Sequence, residues 1–496
     1  MWLLIPRQEN SMPKLAWLAE VDALQRAVKI AHGRSVEYGD GWCVEGTWEG
    51  DFKAGNFHDV ENFFGSGVRV EGDKLVFCSS AAVIDRIFHV EWKGHFLVSN
   101  SLVQILARTG ARLDISHDYA PETFASRQGI HNKPTAIRVV HPDFDAVYQD
   151  YHCNLLFKDG VFNRFVRSIP RRFLSYEAYR DALIGVLQRL AANYNDPTRR
   201  HAVAAFTTLS TGYDSTAVSA LAKLLGVREC FTTDGGKDVG PRQQESGLAI
   251  ANALGLTPRV LGKCSKVSAL ETHFLAGCTD GSEIVYHDLA TYVASKFEAA
   301  VLFTGYYGDV VWDKGEGSPR YTDDIRRKDV SGLNISEVRL ETGLIHVPVP
   351  QIYARNLADI MAISQSQEMR RWSVGNGYDR PIPRRIAESA GVPRGMFGVQ
   401  KRAQLLYYNE PKNHELKQAF HQFLRREVKL SALHLTVNNW LHRLDYKFAR
   451  MFRRRSWVSR RRKDMRALMY VWAVNNLATR MQEFWTRDDH HRGQAA

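Results

Sequence analysis

Six consecutive residues, Ser210-Thr211-Gly212-Tyr213-Asp214-Ser215, place three aliphatic hydroxyls, a glycine and a carboxylate in one short stretch. That combination suits phosphate. Hydroxyls donate to phosphate oxygens, and glycine lets the backbone approach a ligand closely. A carboxylate beside phosphate is tolerated when the two share a magnesium ion. No G-K-[ST] follows, so this is not a Walker-type loop. Ser, Thr and Asp are also good helix caps, and a merely capped turn is the competing reading.

The loop needs a strand before it and a helix after it. Residues 201–209 form an apolar run rich in Val, Phe and Thr that predicts a buried strand, and residues 215–225 predict a helix closed by Gly226. The helix N-terminus would then face the loop with unpaired N–H groups and partial positive charge. Alternation continues with a strand at 229–233, a helix at 243–254, a strand at 259–261, a helix at 290–297 and a strand at 300–303. Upstream, Ala178, Leu183, Val186, Leu187 and Leu190 recur at helical spacing over 176–194. Repeated strand–helix alternation predicts an α/β fold with a parallel sheet covered on both faces. Residues 1–172 show alternating apolar and polar runs, such as Lys74-Leu75-Val76-Phe77-Cys78 and Gly94-His95-Phe96-Leu97-Val98, and predict a strand-rich α+β unit. Residues from about 316 onward read as mainly helical.

About ninety residues beyond the first loop, Val301-Leu302-Phe303 leads into Thr304-Gly305-Tyr306-Tyr307-Gly308-Asp309-Val310-Val311-Trp312-Asp313. The first loop resembles the S-G-G-x-D-S loop of PP-loop ATP pyrophosphatases, with Thr211 in place of the first glycine. The second segment resembles the T-G-x-G-x-D-E-L-F signature of asparagine synthetases. Gln244-Glu245 and the stretches Arg380-Pro381-Ile382-Pro383 and Phe397-Gly398-Val399-Gln400-Lys401-Arg402 are similar to that family too.

The resemblance implies an N-terminal α+β, glutaminase-like (Ntn-type) sandwich over 1–172. It implies a parallel-sheet PP-loop domain with asparagine-synthetase-like features over 173–410, followed by a helical, basic region over 411–496. ATP would bind at Leu209, Ser210, Thr211, Gly212, Asp214, Ser215, Thr232 and Gly305. Asp214 and Asp309 would share Mg2+, and Lys401 would neutralise the pyrophosphate leaving group. Tyr306 stands where the similar β-lactam synthetases carry a tyrosine that helps deprotonate the attacking amine, with Glu341 as its candidate partner. Val310 replaces the glutamate of asparagine synthetases, which argues against ordinary asparagine synthesis.

The glutaminase of that family uses an N-terminal cysteine whose own amine acts as base. Position 2 is Trp2 and the nearest cysteine is the internal Cys43. Phe77 to Leu106, with Ser99-Asn100-Ser101-Leu102, nevertheless resembles the late part of that domain. A degenerate glutaminase-like unit that supplies no ammonia is expected. The expected activity is an AMP-forming carbon–nitrogen ligase. It would activate a small-molecule, peptide or glycan carboxylate as an acyl-adenylate for attack by an amine or ammonia. A catalytically inactive relative acting as a scaffold is the alternative, and a tRNA-modifying PP-loop enzyme is a weaker one.

The chain has 496 residues, of which 44% are apolar and 24% charged, ordinary values for a globular protein with a sizeable core. Its six cysteines include no C-x-x-C pair, so no zinc or redox motif is suggested and a reduced, cytoplasmic setting is expected. No signal peptide and no run near the roughly 18 apolar residues of a membrane span is present. The net charge of +12 is concentrated between Arg443 and Arg466, where eleven Lys or Arg face two Asp. Phe448, Phe452 and Trp457 lie among these cations. Aromatic residues beside cations suit an anionic membrane surface or an acidic polymer, which would allow a peripheral position at the inner membrane face. Nucleic acid is the less favoured partner, because no aromatic RNA-binding motif accompanies the charge. Arginine stems packed along a helix, with their heads in water, are the plain alternative.

Overall fold

The computed structural model describes residues 1–125, 128–131, 135–167, 171–233, 246–262, 267–279, 283–314, 324–327, 330–375, 377–399, 409–431 and 465–494, with side chains described to residue 486 of the last helix. Among these residues the chain is mixed α/β and contains three sheets.

The N-terminal part builds two of them. One is ordered β1 (Leu3–Gln8), β3 (Ala27–His32), β2 (Trp17–Asp22), β9 (His95–Ser99), β8 (Arg86–Trp92), β11 (Ala146–Tyr151) and β10 (Thr135–Arg138). The other is ordered β13 (Val161–Val166), β12 (Cys153–Lys158), β7 (Lys74–Cys78), β6 (Phe63–Glu71), β5 (Trp42–Trp48) and β4 (Glu37–Gly39). Every pairing is antiparallel except β1 with β3. Strand alternation sends Trp17, Val28, Val68, Phe77, Leu155 and Phe157 into one core between the sheets. Trp17 stacks on Phe77 at 6.4 Å and donates from its indole to Ser66 Oγ at 2.9 Å. The helix Leu102–Thr109 lies against β2, β8 and β9, and the helix Tyr176–Tyr194 lies against β5.

The third sheet is parallel, in the order β16 (Thr257–Leu261), β15 (Glu229–Thr233), β14 (Val203–Thr208), β17 (Ala299–Thr304) and β18 (Leu344–Pro348). β17 is buried along its whole length, as expected for a strand covered on both faces. β18 falls in the part of the sequence read as mainly helical. Gly343, with φ 85°, ends the preceding helix Ile335–Thr342 and turns the chain into this strand. The chain builds outward from β14 to β16 and then crosses back to β17. The point where the direction of winding reverses therefore lies between β14 and β17, and in open parallel sheets that is where the strand ends leave a crevice for ligands.

The sandwich and the parallel sheet are joined by buried charge. Arg339 donates to both Glu45 oxygens at 3.0 and 2.9 Å and to Asp85 at 2.7 Å. Ser101 donates to Glu337 at 2.8 Å. Lys14 reaches the carbonyls of Ala294 and Phe297 at 3.0 and 2.6 Å. At the C-terminal side, Glu271 accepts the backbone N–H groups of Lys412 and Asn413, both at 2.8 Å. The helix Met465–Gln494 lies along Leu102–Thr109, and Asn475 exchanges hydrogen bonds with the backbone of Leu113 at 2.8 and 3.1 Å. No helix among the described residues is long and apolar enough to cross a membrane. The basic stretch lies outside the described residues except for Met465 and Arg466.

Candidate active site

The loop after β14 folds on its own hydroxyls. Leu209 N–H closes the strand by donating to Phe231 O at 2.8 Å. The Ser210 and Ser215 hydroxyls meet at 2.8 Å, and Ser210 Oγ accepts the Gly212 N–H at 3.2 Å. Gly212 is extended and caps the helix Tyr213–Leu224 without a side-chain hydrogen bond to the helix amides. The first-turn N–H groups are thus not spent on a capping side chain, the arrangement that suits an anion. Thr232, at the end of β15, accepts the Gly247 N–H at 2.8 Å and borders the same end of the sheet.

The loop after β17 is pressed against this helix start. A Cβ on Gly305 would lie 2.7 Å from Ser215 N, and one on Gly308 would lie 2.5 Å from Asp214 Cγ. Glycine is required at both places by contact rather than by φ. Gly308 opens the short helix Gly308–Val311 and Asp309 follows it, so the two sequence-predicted carboxylates arise from abutting backbone. Val310 packs against the main core and leaves no polar group at its position.

Both carboxylates hold arginines. Arg380 Nη1 pairs with Asp214 Oδ2, and Arg327 Nη1 lies 3.1 Å from Asp309 Oδ1. Burial works against the Arg380 charge, but Asp214, with further help from Tyr378 and Asp309, raises its pKa above the usual value. Beside them, burial would raise the Asp379 carboxyl. Hydrogen bonds from Ser373, Val374 and Gly375, with Lys314 nearby, hold it below its ordinary range instead. Tyr378 packs on Tyr213 at 4.9 Å, and burial pushes its phenol up to about 12. The sequence alone points to no role for Arg380, Arg327, Lys314 or Asp379. The one available signal was Pro381, which starts a helix and holds Arg380 in a non-helical conformation at its entrance.

Tyr306 sits where β17 ends, half-buried, with the Arg327 guanidinium 4.7 Å from its ring centroid and His346 6.1 Å away. His346 bonds Thr304 Oγ1 at 2.7 Å, and burial lowers its pKa to about 4, leaving it neutral. Glu341 is not brought to Tyr306. It precedes β18, at the end of the sheet where the strands begin, 3.6 Å from His273. A strand of this length separates the two ends by roughly 15–20 Å. Lys401 lies outside the described residues, as do Gln244 and Glu245. Gly398, three positions before Lys401 in sequence, donates its N–H to Thr211 O at 2.9 Å and is thereby tied to the first loop.

The structure therefore gathers Leu209, Ser210, Thr211, Gly212, Asp214, Ser215, Gly305, Tyr306 and Asp309 at the switch point. No family model matches this chain, and no curated protein matches its sequence at a significant level. Among the described residues no cluster of three or more His, Cys, Asp or Glu could hold a metal by itself. Two carboxylates could supply only part of a hard cation's oxygen set, and its remaining ligands would have to come from elsewhere. In the sandwich, the Cys43, Cys78 and Cys153 thiols are buried, and burial pushes each up to about 12, far from what a thiolate nucleophile needs.

Proposed function

We propose that this chain is an ATP-dependent, AMP-forming ligase similar to asparagine and β-lactam synthetases. The parallel sheet would serve as a PP-loop domain, and the sandwich as a glutaminase-like unit without glutaminase chemistry. One observation carries the reading: the hydroxyl loop and Asp214 meet Gly308-Asp309 where the winding of the sheet reverses, beside helix amides not used by a capping side chain.

In this reading a substrate carboxylate oxygen attacks the α-phosphorus of ATP, and pyrophosphate leaves. An amine then attacks the acyl carbon and AMP departs with the shared oxygen. Activation is needed because a carboxylate is a poor acyl donor. The first-turn amides of Tyr213–Leu224 and the hydroxyls of Ser210 and Ser215 would bind the phosphates. Asp214 and Asp309 would hold magnesium, which when bound offsets phosphate charge. Lys401 would stabilise the departing pyrophosphate. Tyr306 is the candidate for the amine proton, without help from Glu341. The carboxylate would belong to a small molecule, peptide or glycan.

The test is magnesium-dependent exchange of labelled pyrophosphate into ATP, screened against amino acids, uronic acids and peptides. Exchange that needs one carboxylate and vanishes in Asp214→Ala and Lys401→Ala supports adenylation. The arginine pairs on Asp214 and Asp309 favour a second reading, a relative that keeps the fold as a scaffold. Absence of ATP binding by calorimetry would select it.

A further inference from the structure

The two acidic residues of the proposed nucleotide site already carry cations. The Arg380 and Asp214 side chains are only 5% and 17% exposed, so water screens their pairing little. Arg327 is 11% exposed and is held further by Ser331 Oγ at 2.9 Å, so its contact with Asp309 is fixed rather than casual. Two carboxylates drawn together by abutting glycines repel unless cations neutralise them, and here two guanidinium groups do so. A divalent ion entering alone would have to displace two charge-assisted hydrogen-bonded pairs and take from both guanidinium groups their carboxylates. A triphosphate changes that balance, because the planar guanidinium fork matches phosphate as well as carboxylate.

We propose that Arg380 and Arg327 are resident counterions that exchange partners when nucleotide binds, moving from Asp214 and Asp309 to the phosphates while the metal takes the carboxylates. The exchange rests on the nucleotide reading above and adds an order to it: metal enters with ATP and not before. The arginines would thus neutralise the carboxylates before nucleotide binds and the phosphates after it does.

The probes are Mn2+, whose free signal is read by electron paramagnetic resonance, and the β,γ-imido analogue of ATP, added to the full chain. Wild type should hold Mn2+ weakly alone and about ten-fold or more tightly with the analogue. Arg380→Gln and Arg327→Gln should each hold Mn2+ alone about ten-fold more tightly than wild type, yet bind the analogue more weakly. Equal affinity for Mn2+ alone in wild type and both variants overturns the proposal. Circular dichroism checks folding. If Arg380→Gln fails that check, Arg327→Gln decides, since Asp309 is the more exposed carboxylate at 33%. A gain for Mn2+ alone in the variants, with no analogue bound by wild type, would overturn both the partner exchange and the nucleotide reading. Analogue binding by wild type with no gain in either variant would overturn the exchange alone.

Discussion

Gly308 lies so close to Asp214 that a methyl group on its Cα would come within 2.5 Å of the carboxyl carbon. The site carboxylate is therefore positioned by an absence of side chain one loop away. Gly308→Ala should move Asp214, weaken ATP binding by about ten-fold and cost about 1–3 kcal/mol of stability through overpacking. Gly395→Ala, where nothing lies within 4 Å, is the control. Calorimetry and thermal denaturation of the two variants check this, and equal ATP affinities would count against the role of the contact.

Tyr306 offers a separation of the two chemical steps. If it handles the amine proton, Tyr306→Phe should leave pyrophosphate exchange near the wild-type rate and slow amide formation about 100-fold or more. No loss of either would mean that the ring merely packs, with Cε2 2.9 Å from where a Cβ on Gly332 would lie.

Arg339 is 2% exposed and is the common partner of Glu45 and Asp85, which are 0% and 3% exposed. Arg339→Met leaves two buried carboxylates without their cation and should destabilise the protein by about 3–5 kcal/mol. Because the triad joins the sandwich to the parallel sheet, the variant should also melt in two steps where wild type melts in one. Calorimetric scans would show it.

Glu337 supplies a pH test. Burial is the main reason its carboxyl is pushed up to about 7, above its ordinary 4.5, against the pull of Ser101 and Arg86. The folded form thus holds a proton that the unfolded form releases, so stability falls as pH rises from about 4.5 to about 7 and then levels off. Glu337→Gln removes that loss. Its stability relative to wild type should climb across this window by about 3 kcal/mol at most. His152 and His346, lowered to about 3 and about 4 by burial, act in the opposite sense, but equally in both proteins. Urea titrations at several pH values give the difference directly.

Local signals were the ones legible in the sequence. The strand-to-helix switch at Gly212 and the strand leading into Gly305–Asp309 depend on neighbours a few positions apart and were legible; that both loops lie at the reversal point of a parallel sheet was not. Arg380 reaches Asp214 across 166 positions, a pairing that no local pattern encodes. Glu341 misled for a related reason: spacing along the chain does not say at which end of a sheet a residue lies. β18 was hidden because a five-residue buried strand containing His346 and ending in Pro348 carries no alternation to mark it.

The helices on either side of the basic stretch touch one another, with Phe420 packed against Trp472 at 5.4 Å. Cutting the chain at 431 would strip away the helix that covers Leu102–Thr109, and any loss would be ambiguous. Replacing the Lys and Arg residues between 443 and 463 by neutral ones would remove the cations while keeping that cover, and so would separate what the charge attracts from what the fold requires.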